Sequence, residues 1–364
     1  MKRIKQLVYA AVSLCMAAGL CSPVFAGAGR TGAQILDLGG GTRAAALGDA
    51  FSAVDGDVTA AFWNPSGLGI IQDTQAAISY MDYSQLFGEA SAGLYYAFFA
   101  GAMPLGASGT LGTTLQIQGQ GEVAITTDSP LIERYENLGT NWAWTVSYAD
   151  MLANGLSAGI SGKIIQMKLG RYAGRAYAID FGAQYNLQLP DFMPPVRIGA
   201  AVQNWGTEIA FIDANQSDPL PRKFRLGTAV TIYEAGYHDL RLIGDLTAFI
   251  DKLKEDDEEG VQAFIEANPE VTRDQLLADR GVGRHAFEWR HMQKSVGIEY
   301  WLSNLLALRV GYKTEPGINR PDFSDHITYG LGVRLLNYQF DYARVPGGGP
   351  NNQRLNVFAL VLRF

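Results

Sequence analysis

From Ala176 to Gln188 the odd positions read Tyr177, Ile179, Phe181, Ala183, Tyr185 and Leu187, and the even ones read Ala176, Ala178, Asp180, Gly182, Gln184, Asn186 and Gln188. A period of two sends neighbouring side chains to opposite faces of a strand, so one face is apolar and the other small or polar. Asn141 to Tyr148 repeats the pattern, with Trp142, Trp144, Val146 and Tyr148 against Asn141, Ala143, Thr145 and Ser147. Phe224, Leu226, Val230 and Ile232 oppose Arg225, Gly227, Ala229 and Thr231, and Ile327, Tyr329, Leu331, Val333 and Leu335 oppose Thr328, Gly330, Gly332 and Arg334. One stretch changes phase. Outward Leu156, Ala158, Ile160 and Ile164 give way to Ile165, Met167 and Leu169, which predicts a bulge.

Marking every such segment predicts strands at 74-83, 88-103, 108-119, 139-150, 155-169, 174-188, 195-205, 222-234, 237-250, 292-302, 304-314, 326-336, 338-346 and 352-364. Fourteen is an even number, as single-chain bacterial barrels require. The connections alternate between short ones, such as Pro104 to Ala107, Ser303 and Asn337, and long ones at 120-138, 206-221, 251-291 and 315-325. Short periplasmic turns with long external loops are the habit of outer-membrane barrels. A soluble β-sandwich would show polar faces to water, whereas these non-aromatic faces are mostly Gly, Ala, Ser and Thr. The pattern therefore predicts an all-β fold, a transmembrane antiparallel β-barrel of 14 strands, closing on Phe358, Leu360, Leu362 and Phe364.

Lys2, Arg3 and Lys5 precede an uncharged run from Leu7 to Leu20, and Val24-Phe25-Ala26 precedes Gly27. That order predicts a secretory signal peptide at 1-26, cut after Ala26 and sending the chain to the bacterial outer membrane. Cys15 and Cys21 both fall inside it, so no disulfide, zinc cluster or thiol nucleophile is expected beyond it. Removing its three positive charges takes the formal net charge from -7 to -10, which disfavours a nucleic-acid partner. The rest holds no run of eighteen apolar residues, which argues against membrane-spanning helices. The 42 glycines, 17 tyrosines and 17 phenylalanines suit aromatic girdles around a small-residue interior.

Residues 27-73 are too irregular for a strand and too rich in glycine for a long helix. Their centre runs from Gly39-Gly40-Gly41 through Gly48-Asp49-Ala50-Phe51 to Trp63-Asn64-Pro65-Ser66-Gly67-Leu68. This stretch, 39 to 68, resembles the amino-terminal hatch of the FadL-like outer-membrane barrels, and particularly their PorV/PorQ branch. Members of that group carry a similar small-residue run with Gly-x-Ala-Phe, then an aromatic residue and Asn-Pro-Ala-Gly; Ser66 stands here where the family usually has Ala. The resemblance implies a hatch (27-73) inside a barrel (74-364). It also implies one of two non-enzymatic roles: protein export or surface assembly of the type IX secretion class, or FadL-like passage of hydrophobic small molecules. Expected partners are outer-membrane lipid, a secretion or surface-attachment complex meeting loop 251-291, and, in the second role, a hydrophobic ligand. Within the hatch, Asn64 and Pro65 read better as a structural anchor than as a gate hinge, because turn chemistry alone accounts for both.

Other motifs carry less. Gly39-Gly40-Gly41 lacks the lysine and Ser/Thr of a phosphate loop. Asp55 and Asp57 lack the glycine and final glutamate of a calcium loop, so a solvated turn is expected there. His238, His285, His291 and His326 are scattered; His285, Glu288 and His291 have no strong metal spacing, and neither metal nor cofactor is expected. Loop 251-291 predicts two short helices, one with Val261, Phe264 and Ile265 on one face and one beginning at the Thr272 and Gln275 capping box. Reflecting adjacent strands about their turns sets Lys163 opposite Asp180, Arg225 opposite Asp245, Glu299 opposite Arg309 and Arg334 opposite Asp341. Buried charges are tolerated when paired, so four such pairs predict a filled lumen.

Overall fold

The computed structural model describes residues 31-84, 93-125, 134-153, 155-190, 192-213, 217-250, 292-314, 323-347 and 353-364, with a few positions between 262 and 289. The expected signal stretch 1-26, the two helices expected in loop 251-291, and His285, Glu288 and His291 lie outside the described residues.

The strands are β1 (Gln75–Asp82), β2 (Leu94–Pro104), β3 (Thr110–Gln120), β4 (Glu122–Ile125), β5 (Arg134–Asn137), β6 (Thr140–Ala153), β7 (Leu156–Leu169), β8 (Tyr172–Asn186), β9 (Val196–Gly206), β10 (Lys223–Ala235), β11 (His238–Phe249), β12 (Gln293–Leu302), β13 (Leu306–Thr314), β14 (Ile327–Leu335), β15 (Tyr338–Pro346) and β16 (Arg354–Arg363). Fourteen close into an antiparallel barrel in which sequence neighbours pair throughout. β4 and β5 form a separate two-stranded ribbon within the long connection between β3 and β6. The seam joins β1 to β16 from Gln75 opposite Arg363 to Met81 opposite Val357, and the Phe364 N–H donates to the Thr74 carbonyl at 2.9 Å. Closure leaves no unpaired edge, which a strand protein in lipid must avoid.

The alternation of the sequence appears as two surfaces. Tyr177, Ile179 and Phe181 of β8 point outward and are about half exposed, whereas Ala176, Ala178 and Asp180 are buried within. Tyr80, Trp144, Tyr148, Trp205, Tyr329, Phe340 and Phe358 continue the aromatic exterior.

The bulge expected in β7 is absent. β7 pairs with β8 without interruption from Leu156 opposite Tyr185 to Leu169 opposite Tyr172, so the phase never changes. Ile165 and Met167 point into the lumen, where an apolar cluster takes them. The alternation misled because the inner wall is itself apolar here. Register shifts occur elsewhere: in β6 against β7 between Met151 and Ala153, in β10 against β11 between Thr231 and Tyr233, and where β8 meets β9, between Ile179 and Phe181. Both Gln203 and Asn204 are buried there, and Asn204 adopts a left-handed φ of 60°.

The lumen is occupied by the chain's own amino-terminal segment. It contains two short helices, α1 (Thr42–Ala46) and α2 (Ala60–Trp63), and 3-10 turns at Gln34–Asp37 and Pro65–Leu68. The segment begins under the long-loop end, where the Gly32 N–H donates to the Pro219 carbonyl. It reaches the short-turn end at Ile71, whose carbonyl accepts from the Thr110 hydroxyl, and continues into β1. Inner-wall glycines make room for it. A Cβ added at Gly159 would stand 2.5 Å from the Pro65 carbonyl carbon, and one at Gly297 would stand 2.8 Å from Leu47. Such close approach of backbone to wall is open to glycine alone.

The inward setting of β7 is directly testable. A cysteine replacing Ile160, which faces outward, should react with a lipid-soluble maleimide in native membranes, while one replacing Ile165 should react only after denaturation. Equal labelling of the two would restore the bulge.

Candidate functional site in the barrel lumen

A chain of charges ties the inner segment to the wall. Arg43 of α1 donates through Nε to Glu299 Oε1 at 2.8 Å, through Nη2 to Glu299 Oε2 at 2.5 Å, and through Nη1 to Asp57 Oδ2 at 3.0 Å. Glu299 also accepts from Arg309 Nε at 2.7 Å, and Arg309 Nη1 donates to Asp341 Oδ1 at 2.6 Å. Asp57, Arg43, Glu299, Arg309 and Asp341 thus alternate in sign across segment, β12, β13 and β15. Burial alone would lower the Arg43 pKa, but the Glu299 and Asp57 carboxylates outweigh it and hold the guanidinium charged. Burial likewise pushes Asp57 up, yet Arg43 and the hydroxyl and N–H of Thr59 bring its carboxyl below the ordinary value.

Two of the four expected ion pairs form, Glu299 directly opposite Arg309 as drawn and Lys163 diagonal to Asp180, because Lys163 itself lies opposite Ala178. Lys163 meets Asp180 at 2.7 Å and also donates to Asn204 Oδ1, and Glu299 meets Arg309. The other two do not. Arg225 and Asp245 sit on adjacent strands, but Arg225 donates to Gln203 Oε1 and Thr247 Oγ1 and lies 4.7 Å from the Trp63 ring centroid. Asp245 Oδ2 instead accepts from the N–H groups of Phe51 and Ser52 at 3.1 and 2.9 Å and from the Ser52 hydroxyl at 2.5 Å. Arg334 lies opposite Gln339 and Asp341 opposite Gly332, two residues from the expected register, so Asp341 pairs with Arg309. Asp55 and Asp57 are not a solvated turn either: Asp57 is buried on Arg43, and Asp55 pairs with Arg197 of β9. Burial raises the Asp55 carboxyl despite that arginine.

The motif residues fill the rest of the lumen. Gly48 and Asp49 both hold left-handed backbone, with φ of 67° and 65°, and a Cβ on Gly48 would stand 2.8 Å from the Tyr312 carbonyl oxygen. Asp49 pairs with Lys313 at 2.9 Å. Ala50 and Phe51 are fully buried, and the Phe51 ring lies 6.4 Å from Trp63, whose indole N–H donates to the Gly40 carbonyl at 2.8 Å. The Asn64 amide donates to the carbonyls of Ser52, Ala183 and Ala200, joining segment, β8 and β9. Its oxygen accepts from the Ser66 hydroxyl and N–H, capping the turn that Pro65 begins and that runs through Gly67. Gln184 and Gln203 donate from the wall to carbonyls of Ser52, Val54 and Phe62. Ser66 therefore uses a hydroxyl that alanine lacks.

Arg43, Ser52 and Asn204 were not marked by the sequence. Arg43 is the one charge within the run Gly39 to Leu47, and a lone guanidinium among small residues bound for an apolar interior is the signal that pointed to it. Among the described residues no group of three His, Asp or Glu side chains is arranged to hold a metal.

The model of the type IX secretion system protein PorV matches residues 28–248, more than half of the chain. The chain belongs to the PorV family. No curated protein matches it in sequence. Among solved structures, the toluene transporter TbuX of Ralstonia pickettii is similar with a TM-score of 0.50 and 14% identity, covering 90% of this chain and 98% of the transporter. A FadL homologue of Pseudomonas aeruginosa is similar at 0.47 and 11%, covering 89% and 98%. At 14% identity the likeness to TbuX shows the fold alone. Fold and family together place this PorV-family chain in the outer membrane.

Breaking the charge chain has a defined expected cost. Glu299→Leu leaves two buried guanidiniums facing each other and should destabilise the protein by about 3–5 kcal/mol, read as an earlier heat-modified band shift. The double variant Arg43→Met/Glu299→Leu should recover part of that loss, and no recovery would show that Arg43 does not depend on Glu299. Because the Asp57 carboxyl is lowered in the fold, its contribution is complete above its unfolded pKa and is lost as pH falls through the lower folded one. Below about pH 4, stability should thus fall more steeply in wild-type protein than in Asp57→Asn, and parallel curves would contradict the pairing.

Proposed function

We propose that this PorV-family barrel serves type IX protein export or surface assembly as a closed, non-enzymatic partner of the export apparatus, with residues 27-73 as a fixed plug. The signal peptide 1-26 is removed on export, 74-364 forms the wall, short turns face the periplasm and long connections face outward. The observation that carries the reading is the filled lumen. Wall side chains from β8, β9, β11, β12 and β13 hold the segment, through Gln184, Gln203, Asp245, Glu299 and Lys313. A lumen so filled is a poor conduit for a polypeptide. The barrel therefore contributes an outer surface, and loop 251-291 offers the partner face.

The alternative is passive movement of hydrophobic small molecules. It is favoured by the apolar lining beneath the long-loop end, where Ile35, Leu36, Ile165, Met167, Ile209 and Leu220 are buried together. The two readings separate in one preparation. Extraction of native outer membranes in mild detergent should recover the protein with a secretion or attachment complex. Recovery of the barrel alone, carrying a hydrophobic ligand, would favour the alternative. In planar bilayers the intact protein should conduct poorly, and removing about 40 residues of the plug, a length typical of the plug in the family it resembles, should open it or unfold it. Large steady conductance unchanged by that deletion would rule out the plug.

A further inference from the structure

Among the described residues, two arginines at the short-turn end form no ion pair. Arg334 and Arg363 project from β14 and β16 on the side opposite the exposed Leu331 and Phe358, near the ends of their strands. Both donate to one neutral acceptor: Arg334 Nε and Nη2 reach Gln339 Oε1 at 3.1 and 2.8 Å, and Arg363 Nη2 reaches the same oxygen at 3.4 Å, while Arg334 Nη1 donates to Asn304 Oδ1, also neutral. The neighbouring side-chain carboxylates are occupied. Asp341 takes Arg309 and the Gln339 amide, Glu299 takes Arg43 and Arg309, and Asp57 takes Arg43 and Thr59. Among the described residues no carboxylate forms an ion pair with Arg334 or Arg363. Arg363 Nε and Arg309 Nη2 are moreover buried without an acceptor. Like charges converging on one amide oxygen repel, and a buried N–H with no acceptor is costly, so this corner favours an anion.

Its chemistry is indicated by what surrounds Arg363. The residue ends β16, where the inner and lipid-facing surfaces of the wall meet, and it lines a cavity of about 260 Å³ with Leu336, Asn337, Tyr338, Leu362 and Phe364. Four of these five neighbours are apolar or aromatic. Leu336 is 93% exposed and holds a left-handed φ of 53°, a conformation that a leucine rarely adopts, and Phe364 is 72% exposed. The patch continues the exposed exterior of Leu335, Tyr338 and Phe340 down to the rim. Apolar walls open to the membrane, with a guanidinium at their inner end, fit an amphiphile with an anionic head.

We propose that this cavity seats one glycerophospholipid of the adjoining leaflet. Its phosphate diester sits on Arg363 with Arg334 behind it, and its first acyl carbons lie on Leu336, Tyr338, Leu362 and Phe364. The diester brings one negative charge and several acceptor oxygens to forked donors that suit them. A basic pocket at the rim of an apolar belt is the setting in which headgroups bind. The inference rests on the fold and the membrane, not on which cargo or partner the barrel serves.

The test uses the mature protein, stripped of lipid in detergent and examined by native mass spectrometry with added phosphatidylglycerol or with diacylglycerol, which lacks the phosphate. One phosphatidylglycerol should be retained, about tenfold more weakly in the double variant Arg334→Gln/Arg363→Gln and in Arg363→Gln alone, which spares the stacking of Arg334 on Trp301. Arg354→Gln, at the other end of the same strand, should bind as wild type does. Heat-modifiable migration confirms that each variant is folded. Equal retention by the arginine variants, equal binding of diacylglycerol, or full displacement of the lipid by inorganic phosphate would overturn the proposal.

Discussion

A charge taken into a protein interior must find its opposite, and the arrangement of this lumen follows from that between Arg43 and Glu299. Arg43 enters on α1 with the small residues that let the segment approach the wall, and Glu299 waits on the inner face of β12. Neither is tolerable alone at that depth. Together they set where α1 lies, and the position of α1 decides which wall positions must be glycine. Gly297 faces Leu47, Gly311 faces Gly48, and Gly330 faces Ala46. The wall and the segment are thus complementary in both charge and shape.

The same complementarity explains why the inner wall has two characters. Where the segment presents backbone carbonyls, the wall offers amides, as Gln116, Gln184 and Gln203 do. Where the segment presents Ile35, Leu36 and Phe62, the wall offers Phe98, Ile165, Met167 and Ile243. Buried backbone groups need partners and buried apolar groups need contact, and the wall supplies each where the segment requires it.

Much of this was legible in the chain. The strand count, the closing pair and the alternation of faces follow from a period of two, because lipid outside and small residues inside differ sharply along Tyr177 to Leu187. Asn64 and Pro65 were legible as turn formers for local reasons, and Lys163 with Asp180 lay within reach of a reflected register. Most of what failed depended on the segment. Ile165 and Met167 read as outward because an apolar residue in such a strand is taken to face lipid, and only the segment's own apolar side makes the lumen an equal destination. Asp245 read as a partner for Arg225, but the N–H groups of Phe51 and Ser52 and the Ser52 hydroxyl were available to it, and no strand pattern carries their position. Arg334 and Asp341 failed on a register error of two residues, which preserves the face and changes the neighbour; Arg225 with Asp245 and Lys163 with Asp180 carried the same error, and only the last pair spans it.

On the function proposed here, a barrel whose lumen is filled by its own chain works through a surface outside the lumen. That reasoning depends on the segment being an integral part of the folded wall rather than a tail that visits it. Hydrogen exchange of the mature protein in lipid nanodiscs measures this directly. The amides of residues 44-68 should exchange as slowly as those of β7 and β8, and Glu299→Leu should speed the segment selectively while leaving the strands protected. Exchange of 44-68 within seconds in the wild-type protein, against slow strands, would contradict the account.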